Sequence, residues 1–590
     1  VNACRIGLAV ALLCAAVQLP AQEISTVVIA PDGTELATDV YLPFGEGPWP
    51  VILVRTPYDK EELWQVGQAF KILGFASAIQ DTRGRYASGG ENTVFRDDAE
   101  DGRATVAWVT DQWWCDGNIG TFGGSAFGIP QYLLAPSADP ALKSIAPFVA
   151  TPDIYHHAFL QGGAVREALA ENWLADQDAL HVLEEIRQHR LKDEWWDPAE
   201  VLDRAEEIDA AGLHVGGWYD IFGQGAIDAF TTLQGRGGPN ARQRQYLLMG
   251  PWTHGRFGDR RAGELLYPVN ALLDVLSALG PWYHATLRGD WEEIGDWDPV
   301  RVYLMGAVGE AGAPGNRWVG LETWPPASVS RPLYLSDDGS LGDQLPAAGG
   351  TELIVDPVEP VPTLGGANLF PELEVDGRPM GDGPHDLRPI EARDDVAVFS
   401  TGVLTEGLTV MGRLRCTLWV RPDTTDLDLA VRLSDVYPDG RSMLVTDGIQ
   451  RSRMRCGDDR ECLLTPGTPT EITVDLWSSA IVFNAGHRIR ISVSGTNSPR
   501  FEVNPNNGGD LNGDDPATVA RPELLFGPDH PSRLLLPIPI EPRRGGQRLP
   551  PAEPGSAHPA ELEAALRAGV SSAWMRSSFE PASTQPTRTD

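Results

Sequence analysis

The sequence predicts an α/β sheet domain followed by an all-β domain, and three observations carry that reading. Apolar runs of strand length alternate with helix-patterned segments over residues 22–149 and again over 212–330. Between them, residues 150–211 are rich in Ala, Leu, Glu, Trp and His with little β-branching, so they read as a helical cap inserted into the sheet domain. From 331 to 540 the pattern becomes short alternating runs bounded by Gly, Pro, Asp or Asn, as in a β-sandwich or jelly roll.

Each element follows from local pattern. Residues 24–41 read as two strands around the turn Pro31-Asp32-Gly33. The runs WPVILVR (49–55) and FASAIQ (75–80) are continuous enough for strands buried on both faces, and residues 61–73 between them have helical spacing. A second helix is predicted over 97–110, with acidic residues leading it, and a third strand over 118–122 ends at Gly123-Gly124-Ser125. Strands alternating with helices imply a parallel sheet covered on both faces. In the insertion, 164–173 and 180–191 read as helices; 213–216 and 246–249 then resume the strands. In the last domain, strands are predicted at 333–335, 396–399, 409–420, 427–433, 472–476 and 488–493. Residues 541–590, rich in Pro, Ser, Thr and Ala, read as a mobile tail.

Composition narrows the function. With 18 Trp, 17 Phe and 12 Tyr in 590 residues the chain has ample surface to bury, which excludes disorder throughout. Lys+Arg is 47 against 82 Asp+Glu, a net charge of −35 that disfavours nucleic acid as a partner. No internal apolar run is long enough to span a membrane. At the N-terminus, Arg5, the apolar run 6–17 and Leu19-Pro20-Ala21 have the order of a secretory signal peptide, so residues 1–21 are expected to be removed and the protein exported by a bacterium. Cys14 raises a lipoprotein alternative, against which stands the bulky Leu13 before it. Cys456 and Cys462 flank a short polar loop and are either bridged or two free thiols. Asp510–Asp515 resembles the start of a calcium loop but lacks the sixth-position Gly, and Arg521 replaces the twelfth-position Glu, so no metal or cofactor is expected. Self-association is left open.

The chemistry concentrates at three strand ends. Gly123-Gly124-Ser125-Ala126-Phe127-Gly128 lies between a predicted strand and a predicted helix, IPQYLLA, the context of a nucleophile elbow. Small neighbours let the serine occupy a strained turn that lifts its hydroxyl off the sheet and aims the Ala126 amide at a developing oxyanion. A serine hydroxyl needs a base with an orienting carboxylate. Asp220 ends the segment LHVGGWYD and His254 ends YLLMGPWTH, giving the chain order Ser, Asp, His with each residue just past a strand.

These residues sit in longer blocks that resemble the cocaine esterase and X-prolyl dipeptidyl-peptidase family, which also holds α-amino acid ester hydrolases and glutaryl cephalosporin acylases. The blocks are RTPYDK (55–60), DTRGRYASGG (81–90), WWCDGNIG (113–120), the Ser125 elbow, GWYD (217–220), GPWTH (250–254) and DVYPDGRS (435–442). The resemblance implies an α/β-hydrolase sheet with an inserted helical cap and a C-terminal jelly roll. It implies Ser125 as nucleophile, His254 as base and Asp220 as its orienter, with an oxyanion hole from the Tyr58 hydroxyl and the Ala126 amide. Asp81 and Arg83 are expected to hold loops. The family commonly has Tyr after its nucleophile, and here Ala126 leaves a roomier acyl pocket. Ile221 and Phe222 stand where the α-amino acid ester hydrolases place carboxylates, which disfavours a free ammonium on the substrate. Phe222 and the cap residue Trp173 are the candidate substrate contacts, while Glu171 and Asp176 keep a cationic substrate open.

The expected function is cleavage of a small carboxylic ester, or less readily an amide, through an acyl-enzyme. X-prolyl dipeptidyl-peptidase or β-lactam acylase activity is the alternative among enzymes. A non-catalytic carbohydrate- or surface-binding protein is the alternative from another class.

Overall fold

Residues 23–137 and 139–540 are described by a computed structural model; the expected signal peptide, 1–21, and the expected tail, 541–590, lie outside the described residues. The first unit is built on a ten-stranded sheet: β1 Glu23–Ile29, β2 Glu35–Tyr41, β3 Trp49–Thr56, β4 Ala76–Asp81, β5 Cys115–Gly124, β6 Leu142–Phe148, β7 Ala211–Tyr219, β8 Gln245–Thr253, β9 Val300–Leu304 and β10 Arg317–Leu321. Their order across the sheet is β1-β2-β4-β3-β5-β6-β7-β8-β9-β10. The strands from β4 to β9 run parallel, while β1, β2 and β10 add antiparallel edges. This is the α/β-hydrolase arrangement that the family resemblance implied. Its parallel strands all present their C-terminal ends on one edge, which is where crossover loops can carry chemistry.

Helices cover the sheet: α1 Trp64–Ile72, α2 Asp98–Thr110, α3 Ile129–Leu134, α4 Glu167–Asp176, α5 Leu180–Gln188, α6 Gly223–Arg236 and α7 Leu279–Arg288. Strand β3 is buried from Pro50 to Thr56, as its unbroken apolar run requires. Strand β6 was not read from the sequence, because Lys143 and Pro147 interrupt its apolar pattern; it pairs between β5 and β7 all the same.

The inserted segment is less helical than its composition suggests. Leu160–Gln161 and Ala164–Val165 form a two-residue antiparallel pair. Gly162 and Gly163, both at positive φ, make the turn between them. The helix predicted from 164 therefore starts at Glu167 and runs to Asp176. The next helix stops at Gln188 rather than 191.

The C-terminal unit is all-β. One sheet holds the strands 328–335, 341–342, 349–352, 408–421, 470–483, 523–526 and 533–539, and a second holds 397–400, 428–436, 442–451 and 488–494. The two units are joined along a continuous seam. The end of β9 bridges to the long strand 470–483 at Met305 and Ile481. Trp477, from the same long strand, packs into the core of the first unit. A disulfide joins Cys456 to Cys462. The loop it closes meets the cap: Asp458 receives the ring of His156, 2.9 Å away, whose other nitrogen is 2.7 Å from Asp153.

Candidate active site

Ser125 follows β5 directly and sits at φ +52°, a left-handed conformation that a serine adopts only when its surroundings enforce it. The neighbouring glycines are what make that turn sterically feasible. A Cβ at Gly123 would lie 2.1 Å from the Phe127 carbonyl oxygen, and one at Gly128 would lie 2.7 Å from the Ala150 methyl. A short 3₁₀ turn, Ser125–Phe127, leads into α3.

Asp220 and His254 stand at the ends of β7 and β8, which are neighbours in the sheet. The register therefore brings together residues 34 positions apart in sequence. His254 Nε2 lies 2.8 Å from Ser125 Oγ, and its Nδ1 lies 2.6 Å from Asp220 Oδ1. An ionised carboxylate only accepts, so it fixes the proton on Nδ1 and leaves Nε2 as the acceptor facing the serine hydroxyl. Both partners are 1% exposed. The Phe222 amide donates to the same Asp220 oxygen at 3.2 Å, while Oδ2 has no donor among the described residues.

Tyr58 lies two residues past β3, the strand that pairs with β5. Its amide donates to Thr56 Oγ1 at 3.0 Å, and Asp59 after it is at φ +78°. Asp81 steadies this turn by accepting from the Lys60 amide at 2.7 Å and the Ala87 amide at 3.2 Å. Burial is the main reason its carboxyl is pushed up to about 6. Arg83 bridges Asp32 and Asp101, with contacts of 2.5 and 2.6 Å. Both residues thus hold loops.

Trp173 lies on α4, and its indole Nε1 donates to the Tyr58 hydroxyl at 3.0 Å. It also lines an apolar pocket with Ser125 and Ala126 at its base. Phe159 and Leu169 of the cap, Phe95, Ile221, Phe222 and, from the C-terminal unit, Leu369 are among its walls. Phe222 sits edge-on to the His254 imidazole, ring centroids 5.6 Å apart, and also caps the start of α6. It is both a pocket wall and a helix residue. Glu171 points elsewhere, 3.2 Å from Arg187, and neither it nor Asp176 lines this pocket.

Sequence reasoning missed Phe95, Phe159, Leu169 and Leu369, which are ordinary apolar residues until the fold gathers them. It also missed Arg166, a buried guanidinium whose contacts are carbonyls rather than a carboxylate: His157, Ile221 at 2.9 Å and Ala367 at 3.4 Å. It ties the residue after Asp220 to the cap and to the C-terminal unit. No group of three or more His, Cys, Asp or Glu among the described residues is arranged to hold a metal ion.

Comparison with known proteins points the same way. A family model described as X-Pro dipeptidyl-peptidase (S15 family) matches residues 32–181 and 167–256. Another, described as the X-Pro dipeptidyl-peptidase C-terminal non-catalytic domain, matches 293–535. The cocaine esterase of Rhodococcus sp. (strain MB1 Bresler) is 32% identical over 579 residues, covering 86% of this chain and 96% of its own. An α-amino acid ester hydrolase superposes with a TM-score of 0.75 at 24% identity, over 88% of this chain and 96% of its own. An aminopeptidase from the marine sediment archaeon Thaumarchaeota archaeon superposes with a TM-score of 0.74 at 23% identity, over the same shares of 88% and 96%. These two structures show a shared fold. The C-terminal family model begins upstream of β9 and β10, so the border in sequence and the border of the sheet do not coincide.

Proposed function

Because the chain belongs to the cocaine esterase and X-Pro dipeptidyl-peptidase (S15) family and is a serine hydrolase, we propose that it cleaves carboxylic esters of apolar or aromatic acids through an acyl-enzyme. Family membership sets aside the reading of a non-catalytic carbohydrate-binding protein. The observation that carries the proposal is the Ser125–His254–Asp220 chain of hydrogen bonds, 2.8 and 2.6 Å long, at the base of an apolar pocket.

In this reading His254 Nε2 takes the Ser125 proton as Oγ attacks the ester carbonyl. Asp220 keeps the imidazole in the required tautomer and offsets its charge. The carbonyl oxygen becomes an oxyanion held by the Tyr58 hydroxyl and the Ala126 amide. His254 then protonates the departing alcohol, and water, activated by the same imidazole, releases the acid. The walls Ile221, Phe222 and Leu369 offer no charge to an ammonium, which favours an uncharged acyl group over a free α-amino acyl or dipeptidyl one. The relative named a cocaine esterase supports ester chemistry. The proposal includes export, which the Cys456–Cys462 disulfide supports because such bonds persist in oxidising compartments.

The test is Ser125→Ala on purified protein with p-nitrophenyl esters of apolar acids. Turnover should fall to the level of the uncatalysed reaction while the folded state persists. Activity within tenfold of the wild type would remove Ser125 as nucleophile.

A further inference from the structure

The Tyr58 hydroxyl is met by a side chain of the cap. An indole N–H only donates, so in the 3.0 Å contact Trp173 is the donor and Tyr58 the acceptor. The phenol's own hydrogen is therefore not used in that bond. Accepting from the indole also polarises the phenol as a donor. The bond fixes the rotation of the phenol and brings Trp173, a residue of α4, to the oxyanion position.

Two further contacts hold Trp173 there. Its ring stacks on Phe95 with centroids 5.5 Å apart and planes 8° from parallel. Phe95 reaches that place through a turn in which Val94 and Phe95 are both left-handed, at φ +46° and +69°, where bulky side chains are rarely found. Second, Arg85 spans the two elements involved. Its Nε donates to the carbonyl of Pro57, the residue before Tyr58, at 3.1 Å, and its Nη1 donates to the carbonyl of Gln177 at 2.6 Å. Gln177 is the C-cap of α4, four residues beyond Trp173. The Asn92 side chain donates to the same carbonyl at 3.0 Å, and the Val94 amide donates to Asn92 Oδ1 at 3.2 Å. A cation on the last carbonyls of a helix also suits the helix dipole. The loops on either side of the oxyanion position are thus locked to one helix end.

We infer that Trp173 and Arg85 are positioning residues for the oxyanion hole: Trp173 orients the Tyr58 hydroxyl, and Arg85 clamps the Tyr58 turn to the helix that carries Trp173. Through them the cap takes part in the chemical step as well as in binding. This rests on the reading of Tyr58 as an oxyanion donor, and the experiment separates the two.

The experiment is a double-mutant cycle in kcat with a p-nitrophenyl ester, on full-length protein whose folding is checked by circular dichroism. Tyr58→Phe should lower kcat about 10²–10³-fold, the effect of one oxyanion donor. Trp173→Phe removes the N–H and keeps an aromatic ring to face Phe95, at the cost of some ring volume; it should lower kcat about tenfold, with the pocket effect of the smaller ring appearing in KM. In the Tyr58→Phe background the Trp173 change should produce no further fall in kcat. Arg85→Met should lower kcat several-fold and likewise add nothing to Tyr58→Phe, and Arg85→Lys, able to reach one of the two carbonyls, should recover part of the loss. An unchanged kcat in Tyr58→Phe overturns the oxyanion reading and this inference with it. A fall in Tyr58→Phe beside a Trp173→Phe kcat within twofold of the wild type, or effects that multiply, overturns the inference alone. Should Trp173→Phe not fold, the Arg85 pair decides by the same criterion.

Discussion

Two of the places where the molecule buries charge are treated differently. Beside Ser125, Asp220 is buried with one oxygen on the His254 ring and the other without a donor. In the C-terminal unit, Asp426 and Asp428 are equally buried, but every one of their oxygens is met. Arg451 grips Asp428 through two bonds of 3.0 Å, Arg453 reaches Asp426 at 2.7 Å, and Asn504 donates to both at 2.8 and 2.9 Å. Arg451 also meets Glu502 at 2.5 Å, and Glu502 is shared with Arg190 of the cap. Burial pushes Glu502 up, but the two guanidiniums more than offset it and hold it down at about 2. A perturbed, buried acid is therefore not by itself a sign of catalysis. The catalytic candidate is the one left partly uncompensated, next to a strained serine and an apolar pocket.

The difference can be broken by two substitutions. Asp220→Asn should have the larger effect. The new amide would donate to Nδ1, forcing the proton onto Nε2, which then cannot accept from Ser125. A fall in kcat of about 10³–10⁴-fold is expected, with the urea midpoint unmoved or raised because an incompletely solvated charge is gone. A kcat within tenfold of wild type would place the orienting role elsewhere.

Arg451→Met should do the reverse. It leaves Asp428 without its cation and Glu502 with Arg190 alone, and breaking such a buried pair destabilises by about 3–5 kcal/mol. The urea midpoint should drop sharply while kcat per folded molecule stays within twofold. An unaltered midpoint would mean that the network contributes little to stability; a lost kcat would mean that it reaches the active site through Arg190 and the cap.

The same contrast explains what the sequence could reveal. Ser125, Asp220 and His254 were legible because each follows a strand, and the glycines at 123 and 128 mark a turn that admits nothing larger. The parallel sheet was legible from unbroken apolar runs, with β6 passed over where Pro147 breaks one. The hairpin at 160–165 was hidden by helix-favouring neighbours, because the Gly162-Gly163 turn acts through φ rather than composition. Leu369 could not have been found, since it joins the pocket from a distant unit. Nor could the contact of Trp173 with Tyr58, which depends on two residues held in a backbone region their types avoid. Cys456 and Cys462 announced a pair without announcing a bond.

Asp81 lies between the two kinds of buried charge, and it gives the smallest effect. It is fully buried, and its two amide donors do not compensate it enough: burial first, then the charge of Asp59, raises its pKa to about 6. Unfolded, it would titrate near the ordinary aspartate value, so between the two pKa values the folded protein binds the extra proton. By linkage its ionised form weakens the fold above about pH 6, and that penalty is relieved as pH falls from 7 towards 5. Asp81→Asn carries no such charge at any pH. Measured by urea unfolding at pH 7 and at pH 5, the wild type should gain about 1 kcal/mol relative to the variant at the lower pH. Parallel behaviour of the two proteins would mean that Asp81 is as fully compensated as Asp428, and that the Tyr58 turn is held by a charge rather than in spite of one.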